Sequence, residues 1–125
     1  MTLRQRHHRK RDRNHLAFVA QLPCLITGTT GVHVAHVRYG DPKYGKRSTG
    51  MSEKPDDRWT VPLAPDVHLY DQHKAGERAW WVKQGLDPLE IAIALYDVSG
   101  DVEKGQEIVI RYCLEGRENR CQSLT

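Results

Sequence analysis

Imidazole and carboxyl side chains that could support metal-assisted hydrolysis lie between residues 36 and 73. His36 closes a β-rich run, Asp56 and Asp57 follow in a loop, and His68 and His73 come with the next helical pattern. A strand histidine, a loop carboxylate and helix histidines could hold one divalent cation and leave one imidazole as general base. That combination suits phosphodiester hydrolysis, because imidazole deprotonates water and the cation stabilises charge on the phosphate and the leaving oxygen.

The spacing of the histidines leaves several arrangements open. His68 and His73 are five residues apart, which is about 140° around an ideal helix. Either the helix begins after His68, or it bulges, or only one of the two binds a metal. His33 and His36 are three apart on a predicted strand and so point to opposite faces.

Local patterns place these residues in a small α+β domain. Residues 14–22 predict a short helix capped by Asn14, and the β-rich runs 24–26 and 32–37, separated by a Gly/Thr cluster, predict a hairpin. Residues 59–63 predict a short strand, and a helix is expected to start near Pro65.

The C-terminal part of the chain carries helical patterns without visible chemistry. Asp87-Pro88-Leu89-Glu90 combines an Asp cap, a proline at the first helical position and a glutamate at the third. Residues 101–116 predict a last amphipathic helix, which Gly105 weakens. We expect these helices to be scaffold.

The positive charge of the chain is concentrated at its N-terminus. Residues 1–15 hold six of the nineteen basic side chains and one acidic side chain, which gives them a net charge of +5. The whole chain has a net charge of +3, so the remaining residues carry −2. We call residues 1–14 the N-terminal arm and expect it to be flexible and to bind a polyanion. Its basic residues are Arg4, Arg6, Arg9, Lys10, Arg11 and Arg13.

Length and composition exclude some classes of protein. A chain of 125 residues allows one domain, and no apolar run approaches the roughly 20 residues that span a bilayer. No secretory signal is recognisable at the start of the sequence. The three cysteines form no disulfide framework or zinc ribbon, which favours a reducing cytoplasm.

A longer series of residues resembles the HNH nuclease superfamily, and within it small phage and prophage proteins related to the Ref-type recombination nucleases. The series comprises Pro23-Cys24, Ala35-His36-Val37-Arg38, Gly50-Met51, Lys54-Pro55-Asp56-Asp57-Arg58-Trp59, Val61-Pro62-Leu63, His68 and Gln72-His73. The resemblance covers roughly residues 14–100. It implies a ββα-metal fold, in which a hairpin and a helix clasp one divalent ion, and metal-dependent DNA cleavage. By this likeness His36 is the general base, Asp57 orders the loop or touches the metal, and His68 and His73 bind metal or orient the site.

The sequence departs from that family at three places. Many relatives build a structural zinc knuckle from a Cys-x-x-Cys pair and a cysteine after Pro-Leu. Here Cys24 matches the first cysteine of the pair, but Thr27 replaces the second cysteine and Ala64 replaces the cysteine after Pro-Leu. We therefore expect no structural zinc. Ala35 replaces an Asp or His metal ligand, so waters and DNA phosphate would complete the coordination, as Mg²⁺ prefers, with Mn²⁺ as the other option.

The sequence as a whole predicts a metal-dependent DNA endonuclease with weak sequence preference. Its domain would span residues 15–125, with a ββα core over about 22–75 and the added C-terminal helices over 87–116. A phosphate-binding rim would complement the basic residues of the N-terminal arm. The rim comprises Arg38, Lys43, Lys46, Arg47 and Lys54.

Two alternatives come from other classes of protein. A degenerate HNH fold could bind nucleic acid without cutting it, and a basic adaptor could contact a recombination protein. In either case the sequence predicts no membrane partner and indicates no oligomeric state.

Overall fold

Two short strands and four helices are present in the computed structural model, which describes residues 9–47, 55–67 and 76–123. In chain order they are α1 (Arg13–Val19), β1 (His33–His36), a 3₁₀ helix (Pro42–Tyr44), β2 (Thr60–Leu63), α2 (Glu77–Gln84), α3 (Pro88–Asp97) and α4 (Val102–Ser123). The predicted α+β class is confirmed. A helical turn also begins at residues 65–66. Within the described ranges, no helix is long and apolar enough to cross a bilayer.

The two strands pair differently from the predicted hairpin. β1 runs antiparallel to β2, with His33 opposite Leu63 and His36 opposite Thr60. Residues 24–26, predicted as the first strand of the hairpin, form a turn instead, in which the N–H of Gly28 donates to the Cys24 carbonyl over 2.9 Å. All four residues of β2 are buried, and the turn is also attached to β2, because the N–H of Leu25 donates to the Pro62 carbonyl over 3.1 Å.

The cap of the first helix lies two residues earlier than the sequence predicts, and the helix ends sooner. Asp12, not Asn14, caps α1, and its carboxylate accepts the N–H of His15 over 3.0 Å. The Asp12 carboxylate also accepts the hydroxyl of Tyr96 on α3 over 3.2 Å. α1 is therefore fixed at its first turn to the C-terminal helices.

The third helix follows its predicted capping signal, and the last helix is longer than predicted. The Asp87 carboxylate accepts the N–H of Leu89 over 3.0 Å and that of Glu90 over 3.4 Å, as the predicted N-cap of α3 requires. It also accepts the hydroxyl of Tyr44 over 2.6 Å, which connects the 3₁₀ helix to α3. α4 extends to Ser123, beyond the predicted end at residue 116.

Gly105 lets α1 approach α4 closely. A Cβ atom added at Gly105 would lie 2.7 Å from Cζ of Phe18 and 2.9 Å from Cδ2 of Leu22, both of which are buried. The glycine that weakens the helix pattern in the sequence is thus required by packing, and it costs α4 about 1 kcal/mol of helix propensity relative to alanine.

We predict that Gly105→Ala destabilises the protein by about 1–3 kcal/mol, because overpacking against Phe18 outweighs the gain in helix propensity. Urea unfolding followed by circular dichroism measures the change. Gly116→Ala is the matched control on the same helix, since its Cβ would lie 3.0–3.1 Å from the side chains of Arg120 and Leu86, which is less close than the 2.7 Å contact at Gly105. Equal or greater stability of Gly105→Ala would contradict the close packing of α1 on α4.

Candidate active site

His36 meets Asp57 because the antiparallel strands bring the end of β1 beside the turn that leads into β2. The N–H of Val37 donates to the Trp59 carbonyl over 2.9 Å, which continues the pairing beyond His36. The hydroxyl of Thr60 donates to the backbone carbonyl of Asp57 over 2.9 Å and fixes the turn. In this arrangement Nε2 of His36 lies 2.9 Å from Oδ1 of Asp57.

The Asp57 carboxylate is the most buried charge of this site, with the residue only 1% exposed. Oδ1 accepts from Nη2 of Arg9 over 2.7 Å as well as from His36, and Oδ2 accepts the N–H of Asp12 over 2.7 Å. Burial alone would raise the pKa of Asp57, but the hydrogen bonds from His36, Asp12 and Arg9 outweigh it and lower the pKa to about 2. Asp57 is therefore a carboxylate at neutral pH.

An ionised Asp57 determines which nitrogen of His36 could act as a base. A carboxylate only accepts hydrogen bonds, so Nε2 of His36 carries the proton that lies between them. In the neutral imidazole the lone pair is then on Nδ1. Asp57 can also stabilise the imidazolium that forms when Nδ1 takes a proton, as the carboxylate does in a Ser-His-Asp triad.

Residues 9–12 belong to this site and do not form part of a flexible arm. The N–H of Lys10 donates to Oδ1 of Asp56 over 2.8 Å, and the N–H of Asp57 donates to the Lys10 carbonyl over 3.0 Å. Nε of Arg9 donates to the Pro55 carbonyl over 3.2 Å. The folded domain therefore includes residues 9–14, which the sequence placed in the N-terminal arm. The reason is that the buried carboxylate of Asp57 needs a cation and backbone donors.

A second carboxylate holds the chain just beyond His36. Glu77, in the first turn of α2, accepts the N–H of Arg38 at 2.9 and 3.2 Å through its two oxygens, and the N–H of Tyr39 at 3.2 Å. Burial raises the pKa of Glu77, and the two backbone donors oppose that shift. Glu77 positions His36 through the backbone, and sequence reasoning missed it because it is a single acidic residue far along the chain.

Of the three predicted metal ligands, Asp57 is the one that lies among the described residues. Both oxygens of Asp57 are occupied by N–H donors, so in this arrangement Asp57 does not fit the role of a metal ligand. Across residues 9–47, 55–67 and 76–123, no group of three or more His, Cys, Asp or Glu side chains could hold a metal ion. His68 and His73 lie outside the described residues.

The predicted phosphate-binding residues fall into different environments. Lys46 is only 6% exposed, and its ammonium group donates to the carbonyls of Arg38 and Arg47, so it belongs to the interior and not to the rim. Burial lowers the pKa of Lys46. The exposed basic residues among those predicted are Lys10, Arg11, Arg13, Arg38, Lys43 and Arg47; Arg4, Arg6 and Lys54 lie outside the described residues.

Thr27 and Ala64, which stand where many relatives have zinc-binding cysteines, both contact the sulfur atom of Cys24. Sγ of Cys24 accepts the N–H of Thr27 over 3.4 Å, that of Ile26 over 3.3 Å and that of Ala64 over 3.1 Å. Residues 24, 27 and 64 are therefore neighbours, although 40 positions separate the first from the last. This completely buried cysteine joins the turn to the end of β2 through the hydrogen bonds to its sulfur.

We predict that the Asp57 contacts make the protein sensitive to acid. The folded-state pKa of about 2 lies below the ordinary value of 3.8, so the carboxylate contributes stability that is present above about pH 4 and is lost as the pH falls toward 2. The loss between pH 5 and pH 2 is about 2 kcal/mol. Urea unfolding at a series of pH values measures it.

Two substitutions make that measurement specific. In Asp57→Asn the titrating group is gone, so the difference in unfolding free energy from the wild type should be large at pH 5 and smaller by about 2 kcal/mol at pH 2. Asp56→Asn is the matched control, because that carboxylate is partly exposed and accepts the N–H of Lys10. A pH-independent difference for Asp57→Asn would contradict the proposed charge state.

Similarity to characterised proteins does not add to this geometry. No known protein family, curated protein or solved structure matches the chain. The contacts of Asp57 with His36 and Arg9 are therefore the structural basis for a functional assignment.

Proposed function

We propose that the protein is a metal-dependent DNA endonuclease of the HNH type, in which His36 is the general base. The observation that carries the proposal is the 2.9 Å hydrogen bond from Nε2 of His36 to the buried carboxylate of Asp57 at the end of a β-strand. Carboxylate-oriented imidazole is the usual arrangement for taking a proton from a nucleophile at neutral pH. Here the nucleophile would be a water that attacks the phosphorus of a phosphodiester.

Two further observations support the HNH type in particular. The strand that ends in His36 pairs with β2, and a helical turn follows β2 at residue 65, which agrees with the ββα order that the resemblance implies. In addition, Cys24, Thr27 and Ala64, which correspond by resemblance to zinc-knuckle positions, lie together around one sulfur. This proximity is expected if the chain keeps the family's backbone and has replaced the zinc with hydrogen bonds.

The residues of this chain would each do a limited part of the reaction. Nδ1 of His36 would accept the proton of water, while Asp57 holds the ring and balances the imidazolium charge. Arg9 and Glu77 are positioning residues, since Arg9 fixes the Asp57 carboxylate and Glu77 fixes the backbone after His36. A divalent ion, Mg²⁺ or Mn²⁺, when bound with help from His68 or His73, would stabilise charge on the phosphate and the leaving oxygen.

A second candidate function is nucleic-acid binding without cleavage. It is favoured by the Asp57 oxygens, which are already occupied by N–H donors, and by the lack of a three-ligand cluster in the described part of the chain. In that case the exposed basic residues would bind phosphates, and the His36–Asp57 pair would be structural. The two functions give different results in one assay.

We predict that the wild-type protein nicks supercoiled plasmid DNA with Mg²⁺ or Mn²⁺ and that His36→Ala slows nicking by at least about 100-fold, because the general base is lost. Asp57→Asn should also be slow, since the orientation of the imidazole is lost. His33→Ala, an exposed residue on the same strand, is the matched control and should retain activity. DNA retention by folded wild-type protein without nicking in either metal would reject the nuclease and leave the binding module.

We further predict that removing residues 1–8 weakens DNA binding without disturbing the site. The deletion removes Arg4 and Arg6 but keeps Arg9 on Asp57, so the slope of log affinity against log salt should fall by about 2. Removing residues 1–12 also deletes Arg9 and Asp12, and should cost stability as well as affinity. Unchanged DNA affinity after the shorter deletion would exclude a DNA-binding role for Arg4 and Arg6 and favour the adaptor.

A further inference from the structure

α4 carries an exposed apolar pair at its centre. Ile110 is 52% exposed and Leu114 is 57% exposed, and because they are four residues apart they share one face of the helix. Pro23 and Gly28, in the turn region that follows α1, form the other side of a shallow groove beside this pair, with a volume of about 150 Å³. The groove and the two side chains together form an apolar strip without a partner in the described chain.

Charged residues flank the apolar pair with opposite signs at its two ends. Glu103 and Glu107 lie toward the N-terminal end of α4, and Arg117 lies toward its C-terminal end. Successive residues of a helix are rotated by about 100°, so the three charged residues, Ile110 and Leu114 all lie within one sector of about 80° around the helix. All of them are exposed. We call this set, Glu103, Glu107, Ile110, Leu114 and Arg117, the α4 face.

We propose that the α4 face binds a second copy of the same chain, with the two α4 helices antiparallel about a two-fold axis midway between Ile110 and Leu114. In such a pair Ile110 packs against Leu114 of the partner subunit, and the reverse contact is equivalent by symmetry. Glu107 then faces Arg117 of the partner subunit, because 107 and 117 are equally distant from the axis. The apolar contact and two ion pairs form at the same time.

The charge pattern argues for a second copy and for this orientation. A parallel pair of α4 helices would place like charges opposite each other at both ends. The antiparallel pair places Glu107 opposite Arg117 of the partner subunit, and Glu103 opposite the uncharged Cys121 of the partner subunit. An acidic end, an apolar centre and a basic end are thus complementary to themselves after a two-fold rotation. The contact along residues 103–121 would be about 28 Å long, and the groove gives the partner's side chains a place beside the helix. This inference does not depend on the proposed nuclease function.

Sedimentation velocity of the full chain tests the proposal, in low salt with a reductant because Cys121 is exposed. We expect the wild type to pass from monomer to dimer between about 5 and 500 μM, since weak interfaces have affinities on the order of micromolar. Leu114→Asp should remain monomeric over that range. Glu115→Arg, an exposed charge reversal on another side of α4, is the matched control and should dimerise like the wild type. A wild type that is monomeric throughout overturns the proposal.

Charge reversals test the orientation. Glu107→Arg and Arg117→Glu should each weaken the dimer at least tenfold, because each homodimer then has two like-charge contacts. The double variant Glu107→Arg/Arg117→Glu should recover wild-type affinity, since both contacts are again attractive. Arg117 also donates to the Thr27 carbonyl over 3.3 Å, so thermal unfolding must show that the Arg117 variants are folded. A folded double variant that stays as weak as the single variants overturns the antiparallel arrangement.

Discussion

The buried carboxylate of Asp57 organises the part of the molecule in which chemistry is proposed. It receives hydrogen bonds from a strand histidine, from a guanidinium group and from the N–H of the residue that caps α1. Two of the donors lie in residues 9–12 before α1 and the third ends β1, and the farthest donor lies 48 positions from Asp57. A buried charge without such partners would cost several kcal/mol, so the strand, the first helix and the segment before it are constrained to meet at this atom group.

The burial of the Asp57 carboxylate also gives Asp12 two structural roles. Asp12 caps α1 with its side chain and donates its backbone N–H to Asp57. The start of α1 and the ionised site are therefore parts of one hydrogen-bonded unit. On the other side of His36, the Glu77 carboxylate binds two consecutive backbone N–H groups. The imidazole is held from both directions, by its side-chain partner and through the chain that follows it.

Local signals in the sequence predicted the helices and strands better than they predicted which of these pack or pair with each other. The Asp87-Pro88 cap, the strand at residues 59–63 and the α+β class follow from short-range chemistry, and the structure agrees with them. The pairing of β1 with β2 could not be read locally, because residues 24–26 and 60–63 are both short apolar runs. The contact of Arg9 with Asp57 was missed for a similar reason: a basic arm predicts a polyanion, and nothing in its spacing marks one arginine as the partner of a distant carboxylate. His36 and Asp57 were identified as site residues, and the resemblance implied that Asp57 either orders the loop or touches the metal. That Asp57 accepts hydrogen bonds from three donors was not predicted.

The long connection between β1 and β2 determines when this site can exist during folding. His36 and Thr60 become neighbours only after residues 37–59 close into a loop, and loop closure has an entropic cost that only later contacts repay. α3 and α4, which are next to each other in the chain, need no such closure and can form from local contacts. The His36–Asp57 pair is therefore expected among the last features to assemble, so a partly folded chain would present its basic residues before His36 and Asp57 are in contact.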